Sequence, residues 1–69
     1  MQIKISLASA RVNAGFTQKE AAEELGVSNK TLCSWENGES FPDALQIAKI
    51  CKLYAMPYDN INFLPNNPL

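Results

Sequence analysis

The chain contains no histidine, the side chain most often used to move protons near neutral pH and the commonest metal ligand. Imidazole acid–base catalysis and histidine-ligated metal sites are excluded together. Its two cysteines, Cys33 and Cys51, are too few for a four-thiolate zinc site or for the disulfide framework of a small secreted domain. Reduced thiols in a cytoplasmic protein are the simpler expectation. Long apolar runs are missing as well: the longest, Leu53 to Met56, has four residues against the ~20 needed to cross a bilayer. Ala8-Ser9-Ala10 superficially fits a leader-peptidase site, but no apolar stretch precedes it and Lys4 interrupts the approach. Neither export nor a membrane span is expected. Positive charge is not in surplus either, with six Lys and Arg against seven Asp and Glu and a net charge of −1. Overall charge therefore gives no argument for a nucleic-acid partner.

What is present suffices to fold. Sixty-nine residues are about half the usual domain length, which implies one domain over 1–69. Leu, Ile, Val and Phe number 17 of the 69, above the level of disordered chains. A chain of this length has a folded radius of about 11 Å, too small to enclose a catalytic cleft of the usual several hundred Å³. No enzyme activity, cofactor, metal or small-molecule ligand is expected.

All four prolines lie beyond residue 41, so the first forty residues favour helices. Ile3, Leu7, Ala10 and Ala14 follow the spacing of one helical face, and Gly15 ends it. Thr17-Gln18-Lys19-Glu20 reads as a capping box that starts a second helix, with Ala21, Ala22 and Leu25 inward and Gly26 as its stop. Ser28 caps a third helix, which keeps Leu32 and Trp35 on one face until Asn37-Gly38. Asp43 with Gln46 starts a fourth, carrying Ile47, Ile50, Cys51 and Tyr54 inward. After Pro57, the segment 58–64 fits either one helical turn or a short extended piece, because Ile61 and Phe63 alternate with Asn60 and Asn62.

Helices two and three, joined only by Gly26-Val27-Ser28, are too tightly connected to lie antiparallel and must cross steeply. Ala22 supplies the small residue that such a crossing needs. Leu25, Val27, Leu32 and Trp35 fill the wedge beneath, and Asn29, Lys30 and Ser34 remain on the opposite, polar face. Phe16 and Leu45 are further core candidates.

In this register, Gly15-Phe16-Thr17-Gln18, Ala21-Ala22, Leu25-Gly26-Val27-Ser28 and Trp35-Glu36-Asn37-Gly38, with Arg11 ahead and Pro42 opening the next helix, resemble the lambda-repressor-like or Cro-type helix-turn-helix regulators of bacteria and phages. The likeness runs from about Leu7 to Ile61. It implies an all-α, compact four- to five-helix bundle with its core at about 7–61, the motif at 18–37 and a tail at 62–69. It further implies sequence-specific binding of double-stranded DNA by a transcriptional regulator, acting as a repressor on a palindromic operator, in the cytoplasm and on the nucleoid when bound. Helix three, about 28–36, becomes the recognition helix in the major groove. Asn29 suits an adenine edge, Lys30 a guanine edge or a phosphate, and Ser28 and Ser34 either. Gln18 is carried over as a contact to the DNA backbone, with Thr17 and Asn37 as further phosphate candidates. Arg11 and Glu36 are carried over as a partly buried structural ion pair.

Two features fit the likeness poorly. Between Thr17 and Asn37 stand two lysines against four glutamates, and Glu39 occupies a loop where relatives often place a base. Few ionic contacts follow, and a salt slope of about −2 to −4 per subunit. The C-terminal segment, where Met56, Tyr58, Ile61, Phe63 and Leu64 are apolar, has two readings: it caps helices one and four, which is favoured, or it forms the contact of a weak homodimer. The alternative function is a protein-interaction module on the same fold, an antirepressor-like or antitoxin-like partner. Trp35 and Cys51 are read as core. Cys33 has no basic cluster around it to activate the thiol, and a redox role is not assigned.

Overall fold

A computed structural model describes residues 4–63. Element order is β1 (Ile5–Ser6), α1 (Leu7–Asn13), α2 (Gln18–Leu25), α3 (Asn29–Asn37), α4 (Ala44–Leu53), a single 3₁₀ turn (Tyr58–Asn60) and β2 (Ile61–Asn62). Each α-helix opens on a side-chain cap in extended conformation. Ser6, Thr17, Ser28 and Asp43 accept hydrogen bonds from the backbone N–H groups of Ser9, Glu20, Thr31 and Gln46. These satisfy donors that a helix start otherwise leaves without partners. The box at Thr17 is reciprocal, because Glu20 Oε1 accepts from the Thr17 N–H at 2.9 Å. Pro42 stands one residue ahead of the fourth cap rather than opening the helix itself, and it is buried.

The core is a continuous cluster of Leu7, Ala10, Ala21, Ala22, Leu25, Leu32, Trp35, Ile50, Tyr54, Ile61 and Phe63. Phe16, Val27, Ile47 and Cys51 are half-buried against it. Burial also pushes the Cys51 thiol pKa upward, since its surroundings disfavour the thiolate.

Two further expectations are corrected. Helix one does not continue back toward Ile3: Ser6 caps it, and Ile5–Ser6 instead pair in parallel with Ile61–Asn62, in the register Ile5 to Ile61. A strand of two residues at Ile5–Ser6 is too short to show alternation, so this end of the pairing left no periodic signal in the sequence. Ile3 itself lies outside the described residues, as does Leu64. Leu45 is not core but 65% exposed, because Ile47, Ile50 and Tyr54 define the inward side of α4 and Leu45 falls on the other. The apolar side chains of the C-terminal segment follow the first of their two readings and pack internally. Ile61 and Phe63 are buried, Met56 packs on the core, and among the described residues of the segment's apolar set only Tyr58 stays exposed, with its ring stacked on Phe63 at 5.5 Å. The segment after Pro57 takes both forms it suggested, one helical turn followed by an extended pair.

Candidate nucleic-acid interface

The turn between α2 and α3 is three residues long and rests on Gly26, whose φ of +75° is the left-handed conformation that side chains with a Cβ avoid. The Val27 N–H then bonds to the Ala22 carbonyl at 3.0 Å, and Ser28 is placed to cap α3. Ala22, 2% exposed, sits where the helices cross. Leu32 and Trp35 are buried under α3.

With those two residues inward, the helical period turns Lys30, Cys33, Ser34 and Asn37 to the other side, while Asn29, three residues before Leu32, stands at the flank of the first turn. Asn29, Lys30 and Asn37 are exposed, whereas Cys33 and Ser34 are half-buried. The Asn37 amide donates to Cys33 Sγ at 3.4 Å, which links two successive turns of this face. Ser28 lies just before the helix with its hydroxyl occupied: Oγ accepts from the Thr31 N–H at 3.0 Å and donates to Thr31 Oγ1 at 2.9 Å. The structure thus brings Lys30, Ser34 and Asn37 onto one surface, with Asn29 exposed at its N-terminal flank. Ser28 is set at its edge as a helix cap.

Thr17 and Gln18 stand at the start of α2. Thr17 uses its N–H and its hydroxyl acceptor on Glu20, and those bonds, the backbone one foremost, hold the Glu20 carboxyl below the ordinary carboxylate range. The Gln18 and Lys19 N–H groups, at the positive end of the helix dipole, have no intrahelical acceptor.

The Gln18 side chain turns toward α3, where Nε2 donates to Glu36 Oε1 at 3.1 Å. Glu36 also receives Arg11, whose Nε donates to Oε2 at 2.8 Å and whose Nη2 donates to Oε1 at 3.4 Å. A third bond runs from Arg11 Nη1 to the Phe16 carbonyl at 3.0 Å. The two charged side chains are 15% and 7% exposed. One carboxylate thereby joins α1, the start of α2 and the last turn of α3. It also removes its own charge from a region that carries two lysines and four glutamates. Sequence reasoning missed the Gln18 bond to Glu36. The signal was available, since a helix that starts with Ala21, Ala22 and Leu25 inward also turns residue 18 inward. Glu20, Glu23 and Glu24 are exposed on the far side of α2.

Among the described residues no group of three or more Cys, Asp or Glu is arranged to hold a metal ion. No helix among them is long and apolar enough to cross a membrane.

Comparison with known proteins places this geometry. A family model described as helix-turn-helix matches residues 7–60. The HTH-type transcriptional regulator ImmR of Bacillus subtilis is 39% identical over 59 residues, covering 86% of this chain and 46% of that protein. An uncharacterized HTH-type transcriptional regulator of the same species, YgzD, is 29% identical over 62 residues and is covered almost end to end, at 94%. The type II methyltransferase M1.ScrFI of Lactococcus lactis is 35% identical over 63 residues, but only 16% of it is covered. The chain spans about half the length of ImmR and less than a fifth of the methyltransferase. No solved structure matches it significantly.

Proposed function

This chain belongs to the Cro-type helix-turn-helix family, and from that premise we propose that it binds double-stranded DNA sequence-specifically as a transcriptional regulator, repressing by occupying its operator. The supporting observation is the outer face of α3. Asn29 and Lys30 are exposed on the first turn of a helix whose other side is anchored by buried Leu32 and Trp35. A helix so presented enters the major groove, where each base pair offers a distinct set of donors, acceptors and methyl groups. Asn29 reads a base edge, Lys30 a guanine edge or a phosphate, and Ser34 lies beside them. Asn37 and the start of α2 meet the backbone. Thr17 contributes there through its hydroxyl proton and Gln18 through its main-chain N–H and its second amide hydrogen. Ser28 contributes by fixing where α3 begins. One short helix reads few base pairs, so the operator is palindromic and two copies bind half-sites about 34 Å apart.

Selection from randomised duplexes, followed by gel shift on the enriched sequence, tests this reading. Asn29→Ala with Lys30→Ala should weaken binding by about 30-fold or more, since a good bidentate base contact contributes ~1–3 kcal/mol. The salt slope should stay near −2 to −4 per subunit. If no sequence is enriched, the fold serves a protein partner instead, a role to which the acidic balance around the motif is suited.

A further inference from the structure

Asn37 is the one asparagine of the chain that precedes a glycine. It is the last residue of α3 and is exposed on the face proposed to meet DNA. In such a pair an electrophile and a nucleophile are chain neighbours: the carboxamide carbon Cγ of Asn37 and the main-chain nitrogen of Gly38. Glycine sets no side chain in the way of that nitrogen. We infer that Asn37 is a site of spontaneous deamidation, restrained by the closed last turn of α3 and restrained further by bound DNA.

The reaction needs only water. Hydroxide takes the Gly38 N–H proton, the nitrogen forms a bond to Asn37 Cγ, and the Cγ–Nδ2 bond breaks, with Nδ2 leaving as ammonia after taking a proton from water. A second water opens the cyclic imide at one of its two carbonyls, giving aspartate or, with the main chain rerouted through the side chain, isoaspartate. Nothing is oxidised or reduced. In the closed turn both reacting groups are tied down. The Gly38 N–H points back to the carbonyls of Ser34 and Trp35, and the Asn37 amide is held to Cys33 Sγ at 3.4 Å. The reaction therefore waits for the turn to open. The bond from Gly38 to Trp35, at 3.3 Å, is long for an N–H to a carbonyl, and it lies at a helix end, where opening costs least.

Modification undoes the interface. Aspartate adds negative charge at the negative end of the α3 dipole, beside Glu36 and Glu39 in the chain and where phosphates are to be met. Isoaspartate lengthens the main chain inside the closure that joins the Glu39 N–H to the Ser34 carbonyl at 2.9 Å. Free copies are thus retired while bound copies persist, a consequence that rests on the DNA-binding reading; the reaction itself does not.

Peptide mapping by mass spectrometry, after incubation of the full chain at mildly alkaline pH, tests both parts. Asn37 should be converted ahead of every other asparagine, and about tenfold or more faster in urea than in the folded chain. These two readouts need no DNA, so they fail separately from the reading above. Excess selected duplex should slow the conversion about tenfold or more, because DNA that binds the closed form depletes the open one. Asn37→Ser, with its fold checked by circular dichroism, should show no conversion at that position. Asn37→Asp, which reproduces one product, should weaken DNA binding about tenfold. Conversion first at another asparagine, a folded chain converted as fast as one in urea, a DNA complex converted as fast as free protein, or an Asn37→Asp protein that binds as tightly as the wild type would each overturn the inference.

Discussion

From Ser6 to Gly38 the chain follows the local rules of helix construction, and from Phe41 to Phe63 it departs from several of them. In the first region each helix ends on a glycine or a residue next to one, each cap is made, and the partly buried charge is paired. The second region exposes Phe41 and Leu45 and buries Tyr54 Oη and Gln46 Oε1 with no hydrogen-bond partner. It also turns Ala55 into left-handed backbone, at φ +53°. This difference teaches where each region's stability is vulnerable. Satisfied interactions can only be lost, so substitution in the first region should destabilise. Unsatisfied groups and strained backbone can be relieved, so chosen substitutions in the second should stabilise.

The largest effect should come from the pair that holds the first region together. Removing Arg11 or Glu36 leaves its partner's charge stranded where exposure is 15% or less, which costs about 3–5 kcal/mol for a buried pair. The double variant Arg11→Ala with Glu36→Ala should be scarcely less stable than either single variant, because the second substitution removes the stranded charge. Urea unfolding of the four proteins reads the coupling. Additive losses would mean that the two side chains act independently, and the ordered character of this region would rest on its caps alone.

Tyr54 sharpens the contrast from the other side. Burial, then the nearby Glu36 charge, push its phenol up to about 12 from 10, with Arg11 opposing. The folded state thus disfavours the phenolate more than the unfolded chain does. Its stabilising contribution is complete below pH 10 and is lost as pH rises toward 12, amounting to about 2–3 kcal/mol at one pKa unit per 1.36 kcal/mol. Tyr54→Phe should abolish this part of the alkaline loss. At neutral pH it should be neutral or stabilising by up to ~1 kcal/mol, because the hydroxyl it deletes is buried without a partner. A loss of more than ~1 kcal/mol at pH 7 would show that the hydroxyl is satisfied after all.

Separation along the chain, rather than this division, decides what the sequence made legible. Thr17 with Glu20, Ser28 with Thr31, and Asp43 with Gln46 are contacts three residues apart, and residue type together with spacing is enough to read them. The polar face of α3 follows from the period once Leu32 and Trp35 are placed inward. Leu45 was misplaced because hydrophobicity alone marks a core candidate, while its angular position on α4, set by Ile47 and Ile50, excludes it. The pairing of Ile5 with Ile61 spans most of the chain and has no local signature. Gln18 and Glu36 are separated by 18 residues: the period turns Gln18 inward, but only the packing of α2 against α3 makes Glu36 its partner.

The smallest effect concerns how the helices stop. All four end in the same way, with two backbone N–H groups turned back onto the last turn. Phe16 bonds to Arg11, Val27 to Ala22, Glu39 to Ser34 and Met56 to Cys51, at 3.2, 3.0, 2.9 and 3.0 Å. This closure requires a left-handed residue just before each of those donors. Gly15, Gly26 and Gly38 fill three of these positions and Ala55 the fourth. A Cβ at such a φ costs ~1–2 kcal/mol, and the extra freedom that glycine gives the unfolded chain offsets part of the relief. Ala55→Gly should therefore raise stability by ~0.5–1 kcal/mol, and Gly26→Ala should lower it by a similar amount. The second substitution reads backbone strain less the unfolded-chain entropy, with no steric clash added, because a Cβ built at Gly26 meets no atom within 4 Å. Opposite signs at these two equivalent positions, read by thermal unfolding, would locate the difference between the regions in the backbone. If Ala55→Gly also destabilises, the Ala55 methyl contributes contacts that outweigh its strain, and the second region is better adapted than its conformation suggests.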